Sequence, residues 1–113
     1  MSQKNLFVPL NKESFNDFLK GKRYELRKAE RGWNKKQLYT GRNVTLSCGY
    51  SGQRLYGKIG EVIFGSLDKI FSKVQFNKIE PLSKSKREAR TINLKMLGQV
   101  NEYVAFEVIL DGK

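Results

Sequence analysis

The sequence predicts a single α+β domain: a curved or closed sheet of about five or six mostly antiparallel strands, with two or three short helices. Three observations lead to this prediction. The 113 residues suffice for one modest hydrophobic core, so residues 1–113 are expected to form one domain. Short apolar segments alternate with turn residues, as in a sheet of short strands. Two amphipathic segments with helical periodicity account for the helices.

The first quarter of the chain alternates between strand-like and helical segments. Residues 6–10 are predicted as a strand, in which Pro9 indicates an edge or a strand end because it donates no hydrogen bond. A short helix follows, with Asn11 as its N-cap and Gly21 just past its end. Residues 22–29 then return as a strand.

Two further strands are predicted in the middle of the chain, at residues 44–48 and 53–64. The second is long, and Gly57 and Gly60 within it indicate a bulge or a sharp bend, as at the corner of a small barrel. Residues 66–76 fit both a helical and a strand-like period, so both interpretations remain open at this stage.

The last part of the chain is predicted to contain a helix and a strand. Residues 83–97 have a helical pattern that Gly98 ends. Its predicted apolar stripe comprises Ala89, Ile92, Met96 and Leu97. Residues 103–110 give the clearest strand, since they are rich in β-branched and aromatic side chains. Its predicted inward face comprises Val104, Phe106, Val108 and Leu110.

A strong positive charge limits the kinds of partner that are expected. Lys and Arg number 22 against 11 Asp and Glu, which gives a net charge of +11. The segment from Lys20 to Arg54 holds ten basic and two acidic residues, and the segment from Lys69 to Lys95 holds eight and two. Solubility alone would explain an evenly spread excess. Regional clustering instead favours a nucleic acid, RNA or DNA, or a nucleotide as the partner.

Several classes of site are excluded by composition. The chain has no histidine, so a histidine general base and Ser-His or Cys-His pairs are excluded, and no metal-ligand spacing or cofactor motif is present. Cys48 is the sole cysteine, which excludes an intrachain disulfide and fits a reducing cytoplasm. No apolar run is long enough to span a membrane, and Met1–Asn5 do not resemble the start of a signal peptide, so a cytoplasmic location is expected. The protein is also expected to be a monomer.

The junction between the first helix and the second strand is the predicted functional site. Lys22, Glu25 and Arg27 directly follow Gly21, which places charged side chains on a fixed backbone beside a helix end. A solvated strand face is the alternative interpretation of three such charges. A carboxylate between two cations would stay ionised and would orient a guanidinium for bidentate contacts with phosphate or base edges.

Aromatic and hydroxyl residues beyond this junction are further candidates. Trp33 lies on a basic loop, where it either packs in the core or stacks on a base. Tyr50 lies in a glycine-containing turn that lets a ligand approach the backbone closely. Ser47 offers a hydroxyl, but without histidine only a Lys or Glu could activate it. Cys48 is expected to be a small core residue rather than a reactive thiol.

The chain resembles ASCH domains, small β-barrel proteins of the PUA-like type, over residues 6–64 and in the closing strand at 103–110. The resemblance is carried by Phe15-x-x-Phe18-Leu19-x-Gly21, Lys22-Arg23-Tyr24-Glu25-Leu26-Arg27, Trp33-Asn34, Gly41-Arg42-x-Val44-Thr45-Leu46-Ser47-x-Gly49-Tyr50 and Arg54-Leu55-x-Gly57. Within this family, the chain resembles the small bacterial and phage members.

This resemblance implies a barrel with a basic cleft that binds RNA. In that cleft it would place Lys22, Glu25 and Arg27, and nearby Trp33, Ser47, Tyr50 and Arg54. Some members of the family are hydrolases. One group removes the acetyl group of acetylcytidine with a lysine, a threonine and a distant glutamate; Lys22 matches the lysine, but Glu25 stands at the threonine position.

Three functions therefore remain open from the sequence. The first is a nucleic-acid-binding protein, with RNA favoured over DNA. The second is a small hydrolase acting on RNA or a modified nucleoside, in which Lys22 and Glu25 would act as acid and base. The third is an interaction module of phage origin whose basic face binds an acidic host protein.

Overall fold

A computed structural model describes residues 5–111, which form five strands, three α-helices and one 3₁₀ turn. Residues 1–4 and 112–113 lie outside this range. The prediction about a signal peptide concerns the first residues of the chain and therefore lies outside the described range. The strands are β1 (Leu6–Leu10), β2 (Tyr24–Lys28), β3 (Asn43–Cys48), β4 (Arg54–Gly65) and β5 (Tyr103–Leu110). The helices are α1 (Lys12–Leu19), α2 (Leu67–Lys73) and α3 (Lys86–Leu97), and the 3₁₀ turn is Phe76–Lys78.

All five strands belong to one sheet in the order β1-β3-β4-β5-β2. The β1–β3 pair is parallel and the other pairs are antiparallel. The sheet curls so that its two outer strands approach each other, and the Arg27 side chain on β2 reaches the carbonyl oxygen of Pro9 on β1. The predicted class, an α+β fold with a curved, barrel-like sheet of mostly antiparallel strands, is confirmed.

The strand β5, which lies between β4 and β2, is buried on both faces over most of its length. Val104 and Phe106 point to the inside of the curl, where they pack with side chains of β1, β3 and α1. Tyr103 and Ala105 point the other way, into a second core beneath α2 and α3. The predicted inward face of this strand is confirmed, and the second core explains why its sequence is apolar almost throughout.

A β-bulge bends β4 where the sequence predicts it. The pairing with β5 shifts between Ile59 and Val62, so that two residues of β4 stand opposite Glu107. A side chain at Gly60 would meet the Glu107 carboxylate, and a side chain at Gly57 would meet the Ile109 carbonyl oxygen. Gly57 therefore needs to be glycine because the backbone of β5 lies too close for a Cβ atom, whereas at Gly60 the Glu107 side chain would have to move.

The structure settles or corrects three predictions about the helices. Within the ambiguous segment 66–76, residues Leu67–Lys73 form α2, and the Ser66 side chain caps its start by accepting from the Lys69 amide. Helix α3 begins at Lys86 rather than at residue 83. Its predicted apolar stripe is wrong at Met96, which is 56% exposed; the buried residues of α3 are Ala89 and Asn93.

No helix within residues 5–111 is both long and apolar enough to cross a membrane.

Candidate functional site

The backbone before β2 is fixed by the end of α1. The Asn11 side chain caps the helix by accepting from the Ser14 amide at 2.8 Å, as predicted. At the other end Gly21 adopts a φ of 117°, which other residues rarely reach. The amide of Lys22 then donates to the carbonyl oxygen of Asp17 at 2.9 Å. This turn delivers Lys22 directly beside the start of β2.

Three charged side chains meet at this junction. Lys22 Nζ lies 3.0 Å from Glu25 Oε1, and Arg27 Nε donates to Glu25 Oε2 at 2.7 Å. The side chains of Lys22 and Glu25 are 4% and 7% exposed, and that of Arg27 is 20% exposed. The structure therefore brings together the three residues predicted at the centre of the site, and it places them inside the curl rather than on a solvated strand face.

The charge of Glu25 is maintained by its two partners. Burial by itself would raise the pKa of this carboxyl, but the attraction of Lys22 and Arg27, together with their hydrogen bonds, lowers the pKa below its ordinary value. Glu25 is consequently a fixed anion that orients two cations. A buried arrangement of this kind contributes little net stability, and its value lies in holding charged groups in defined positions.

A cavity of about 230 Å³ opens beside this cluster, between β1, β2 and α3. Leu26 and Met96 contribute to its apolar wall. Its polar lining comprises Asn11, Ser14, Lys22, Glu25, Arg27, Glu80 and Asn93. The cavity thus offers cationic donors, two carboxyl groups and two side-chain amides to one small ligand.

Glu80 is the second carboxyl of the cavity, and its electrostatic environment differs from that of Glu25. Burial raises the pKa of Glu80, and the negative charges of Asp17 and Glu25 act in the same direction. The attraction of Lys22 and a hydrogen bond from Asn93 oppose this rise without cancelling it. Glu80 is therefore a carboxyl that takes up a proton more readily than usual, whereas Glu25 resists protonation.

Sequence reasoning missed both Glu80 and Asn93. Glu80 lies in the loop after the 3₁₀ turn, and nothing in its local sequence links it to β2. Asn93 had a weak signal, since it lies four residues after Ala89 and therefore shares the buried face of α3. A polar side chain on the buried face of an amphipathic helix marks a position that needs a specific explanation.

Trp33 lies next to the charged cluster. Its half-buried ring stacks on Phe106 with the ring centroids 5.9 Å apart, and the Arg27 guanidinium lies 4.6 Å from the centre of the Trp33 ring. A guanidinium over a tryptophan face is a favourable cation–π contact. Trp33 therefore supports the orientation of Arg27 from the side of the core.

The remaining predicted residues form a separate group on the outer face of β3 and β4. Ser47 is fully buried, and its hydroxyl has no hydrogen-bond partner among residues 5–111. Tyr50 is 78% exposed and stacks on Phe7 with a centroid distance of 6.1 Å. The Arg54 guanidinium lies 5.3 Å from the centre of the Phe7 ring. The structure does not bring these three residues into the cavity.

Among the described residues, no group of three acidic or cysteine side chains is arranged to hold a metal ion.

No protein-family model and no curated protein matches the chain. Solved structures do match its fold. The crystal structure of a hypothetical protein has a TM-score of 0.73 at 18% identity, over 95% of this chain and 99% of that chain. The solution NMR structure of a protein from Pyrococcus furiosus has a TM-score of 0.69 at 16% identity, over 97% of this chain and 100% of that chain.

A third match is the crystal structure of ASCH from Zymomonas mobilis, with a TM-score of 0.62 at 11% identity, over 91% of this chain and 65% of that chain. At this identity the comparison establishes the fold. The resemblance found in the sequence is thus confirmed at the level of architecture: the chain has the fold of an ASCH domain.

Proposed function

We propose that the protein binds single-stranded RNA and holds one base or nucleoside in the cavity beside Lys22, Glu25 and Arg27. The observation that carries this proposal is the fixed set of donors and acceptors at the cavity wall. Base edges present donors and acceptors in defined patterns, which such a set can match.

The size of the cavity supports a small ligand. At about 230 Å³ it is smaller than the roughly 300–1,000 Å³ typical of sites for drug-sized ligands. A base or a nucleoside suits this volume better than a longer stretch of RNA. The remainder of the strand would then lie on the protein surface.

The charge of the chain supports a polyanion outside the cavity. The net charge is +11, and neutralised phosphates release counterions when basic side chains bind them. The affinity should therefore fall as salt is added. The resemblance to ASCH domains favours RNA over DNA as the nucleic acid.

The experiment titrates single-stranded RNA, duplex RNA and single-stranded DNA at several salt concentrations, with wild type and the Met96→Trp variant. Met96 lines the cavity and is 56% exposed, so a larger ring should fill the entrance without a change of charge. Leu19→Trp is the matched control, since Leu19 is 47% exposed and does not line this cavity.

We expect weaker RNA binding for Met96→Trp and unchanged binding for Leu19→Trp. Binding that ignores salt, or that Met96→Trp leaves unchanged, would contradict the proposal.

A second candidate function is a small hydrolase acting on RNA or a modified nucleoside. The raised pKa of Glu80, in the same cavity as the buried Lys22 ammonium, favours this candidate. A carboxyl with a raised pKa is suited to general acid–base catalysis. Glu80 fits that role better than Glu25, because Lys22 and Arg27 hold Glu25 ionised.

Turnover of acetylcytidine and of RNA decides this second candidate. Wild type is compared with Glu80→Gln, which keeps the shape and removes the titratable proton. We expect a rate loss of about 10²- to 10⁴-fold for this variant if Glu80 moves the proton. If wild type turns over neither acetylcytidine nor RNA, the hydrolase function is rejected and the binding proposal is unaffected.

A further inference from the structure

An exposed aromatic face lies on the outside of the sheet, beyond the cavity. It comprises Phe7 on β1, Tyr50 in the turn after β3, and Arg54, Tyr56 and Lys58 on β4, and we call it the outer aromatic face. Phe7 is 36% exposed, Tyr50 78% and Tyr56 54%. Exposed aromatic rings with cations beside them are unusual on a protein surface that has no partner.

The register of the strands places these side chains on one surface. Phe7 pairs with Thr45, and Thr45 pairs with Tyr56, so the three form a row across β1, β3 and β4. Thr45, the middle residue of this row, is small, and the aromatic rings of Phe7 and Tyr56 lie on either side of it. Neighbouring strands lie about 4.8 Å apart, so the two rings start roughly 10 Å from each other.

Tyr50 is the most exposed ring of this face. It stacks on Phe7 at an interplanar angle of 24°, so Phe7 supports one side of the Tyr50 ring. With 78% of the residue exposed, the opposite side is open to solvent. A ring held in this way is a preformed platform on which a base can stack, since every base has a π-face.

Arg54 supplies a cation at the same place. Arg54 is on β4 and Phe7 is on β1, so the Arg54 side chain crosses above β3 to bring its guanidinium 5.3 Å from the Phe7 ring. This crossing accounts for the burial of Ser47, which pairs with Arg54 in the sheet. Lys58 adds a second exposed cation further along β4, whereas Asp111 lies near Tyr56 and opposes them.

The outer aromatic face begins at the rim of the cavity. The amide of Gly49, next to Tyr50, donates to the carbonyl oxygen of Leu10 at 2.8 Å. Leu10 and its neighbour Pro9 line the cavity. A strand with one base in the cavity would therefore reach Tyr50 by passing over the end of β1.

We propose that the outer aromatic face is a second nucleic-acid contact, on which a base of the same single-stranded RNA stacks on Tyr50 while Arg54 and Lys58 bind its phosphates. The proposal rests on the proposed function for the identity of the ligand. Charge complementarity favours single-stranded RNA as the ligand of this face. The face combines aromatic rings with cations, as do surfaces that bind single-stranded nucleic acids.

The test measures the binding of oligo-uridine RNA of about 2 and about 12 nucleotides to wild type, Tyr50→Ala and Tyr50→Phe. Tyr50 is largely exposed, so neither change should affect folding. We expect Tyr50→Ala to weaken binding of the longer strand on the order of 5- to 150-fold and to leave the dinucleotide unaffected. Tyr50→Phe keeps the stacking ring and should bind as wild type does.

A charge variant tests the phosphate contact independently. Arg54→Gln should reduce the salt slope of binding by about one. Lys73→Gln removes the same charge from α2, whose buried residues pack in the second core, and should leave the slope unchanged.

Failure of this inference can be told apart from failure of the proposed function. If Met96→Trp has no effect while Tyr50→Ala weakens binding of the longer strand, the outer aromatic face binds RNA and the cavity does not. If Tyr50→Ala binds the longer strand as wild type does, the inference is overturned whatever Met96→Trp shows. The inference would also be overturned if the wild-type protein forms a dimer and Tyr50→Ala abolishes it, because the face would then be a contact between two copies of the chain.

Discussion

Arg27 Nη2 donates a hydrogen bond to the carbonyl oxygen of Pro9 at 2.9 Å, and this contact joins the two outer strands of the curled sheet. The neighbouring strands of the sheet are paired through backbone ladders, whereas the two outer strands β1 and β2 have no ladder between them within residues 5–111 and are joined here through a side chain. Pro9 and Arg27 both line the cavity. The contact that brings the two outer strands together thus also forms part of the cavity wall.

Arg27→Met should destabilise the protein by about 3–5 kcal/mol. The variant keeps an apolar stem but loses the hydrogen bonds to Pro9 and Glu25 and the contact with Trp33, and it leaves Glu25 with Lys22 alone. Urea unfolding measures the change. Arg90→Met is the matched control, since the Arg90–Asp68 pair is exposed and should contribute less than about 1 kcal/mol. Equal losses for the two variants would contradict this assignment.

Glu25→Gln should reduce the stability of the protein at neutral pH and flatten its acid unfolding. The pKa of Glu25 is lower in the folded than in the unfolded chain, so its charge contributes stability above the ordinary value of 4.5. That contribution disappears as the pH falls through the folded pKa. The stability difference between wild type and variant, measured by urea unfolding between about pH 3 and pH 7, should therefore narrow on acidification. A difference that stays constant with pH would refute the lowered pKa.

Glu80→Gln should show the opposite pH dependence. The pKa of Glu80 is raised by burial, so between 4.5 and the folded pKa the folded chain binds more protons than the unfolded chain. Wild type should accordingly lose stability relative to Glu80→Gln as the pH rises through this interval. The same series of urea experiments measures the effect. An increase in the relative stability of wild type over this interval would show that the pKa of Glu80 is lowered instead.

Gly57→Ala should destabilise the protein more than Gly60→Ala. A Cβ at Gly57 meets backbone, the carbonyl of Ile109, which cannot move without breaking the β4–β5 pairing. A Cβ at Gly60 meets the end of the Glu107 side chain, which can rotate away, although it then loses its bond to the Glu61 amide. Overpacking typically costs about 1–3 kcal/mol, and we expect Gly57→Ala at the upper end. Thermal unfolding of the two variants gives the order directly.

Local signals predicted the elements around the site. Asn11 marked the start of α1 and Gly21 its end, because capping and a positive φ are requirements of single positions. The spacing of Glu25 and Arg27 placed them on one side of a strand, which the structure confirms. The sequence could not show that this side faces the interior, since that depends on strands distant in the chain.

The opposite wall of the cavity was beyond sequence reasoning. Ala89, Ile92 and Met96 repeat with helical spacing, yet the face that α3 buries is rotated toward Ala89 and Asn93. The rotation is set by packing against α2 and β2, and the polar Asn93 gives only a weak sign of it within the helix. Glu80 was missed for a related reason, because its position results from the path of the loop between α2 and α3.

The position of β2 in the sheet has a consequence for the newly synthesised polypeptide. β2 is synthesised well before its ladder partner β5, which is the last strand among the described residues. While the ribosome is still elongating, Glu25 and Arg27 lack the neighbouring strand that holds their backbone. The charged cluster of Lys22, Glu25 and Arg27 therefore reaches its final arrangement only after β5, up to Leu110, has left the exit tunnel and has paired with β2.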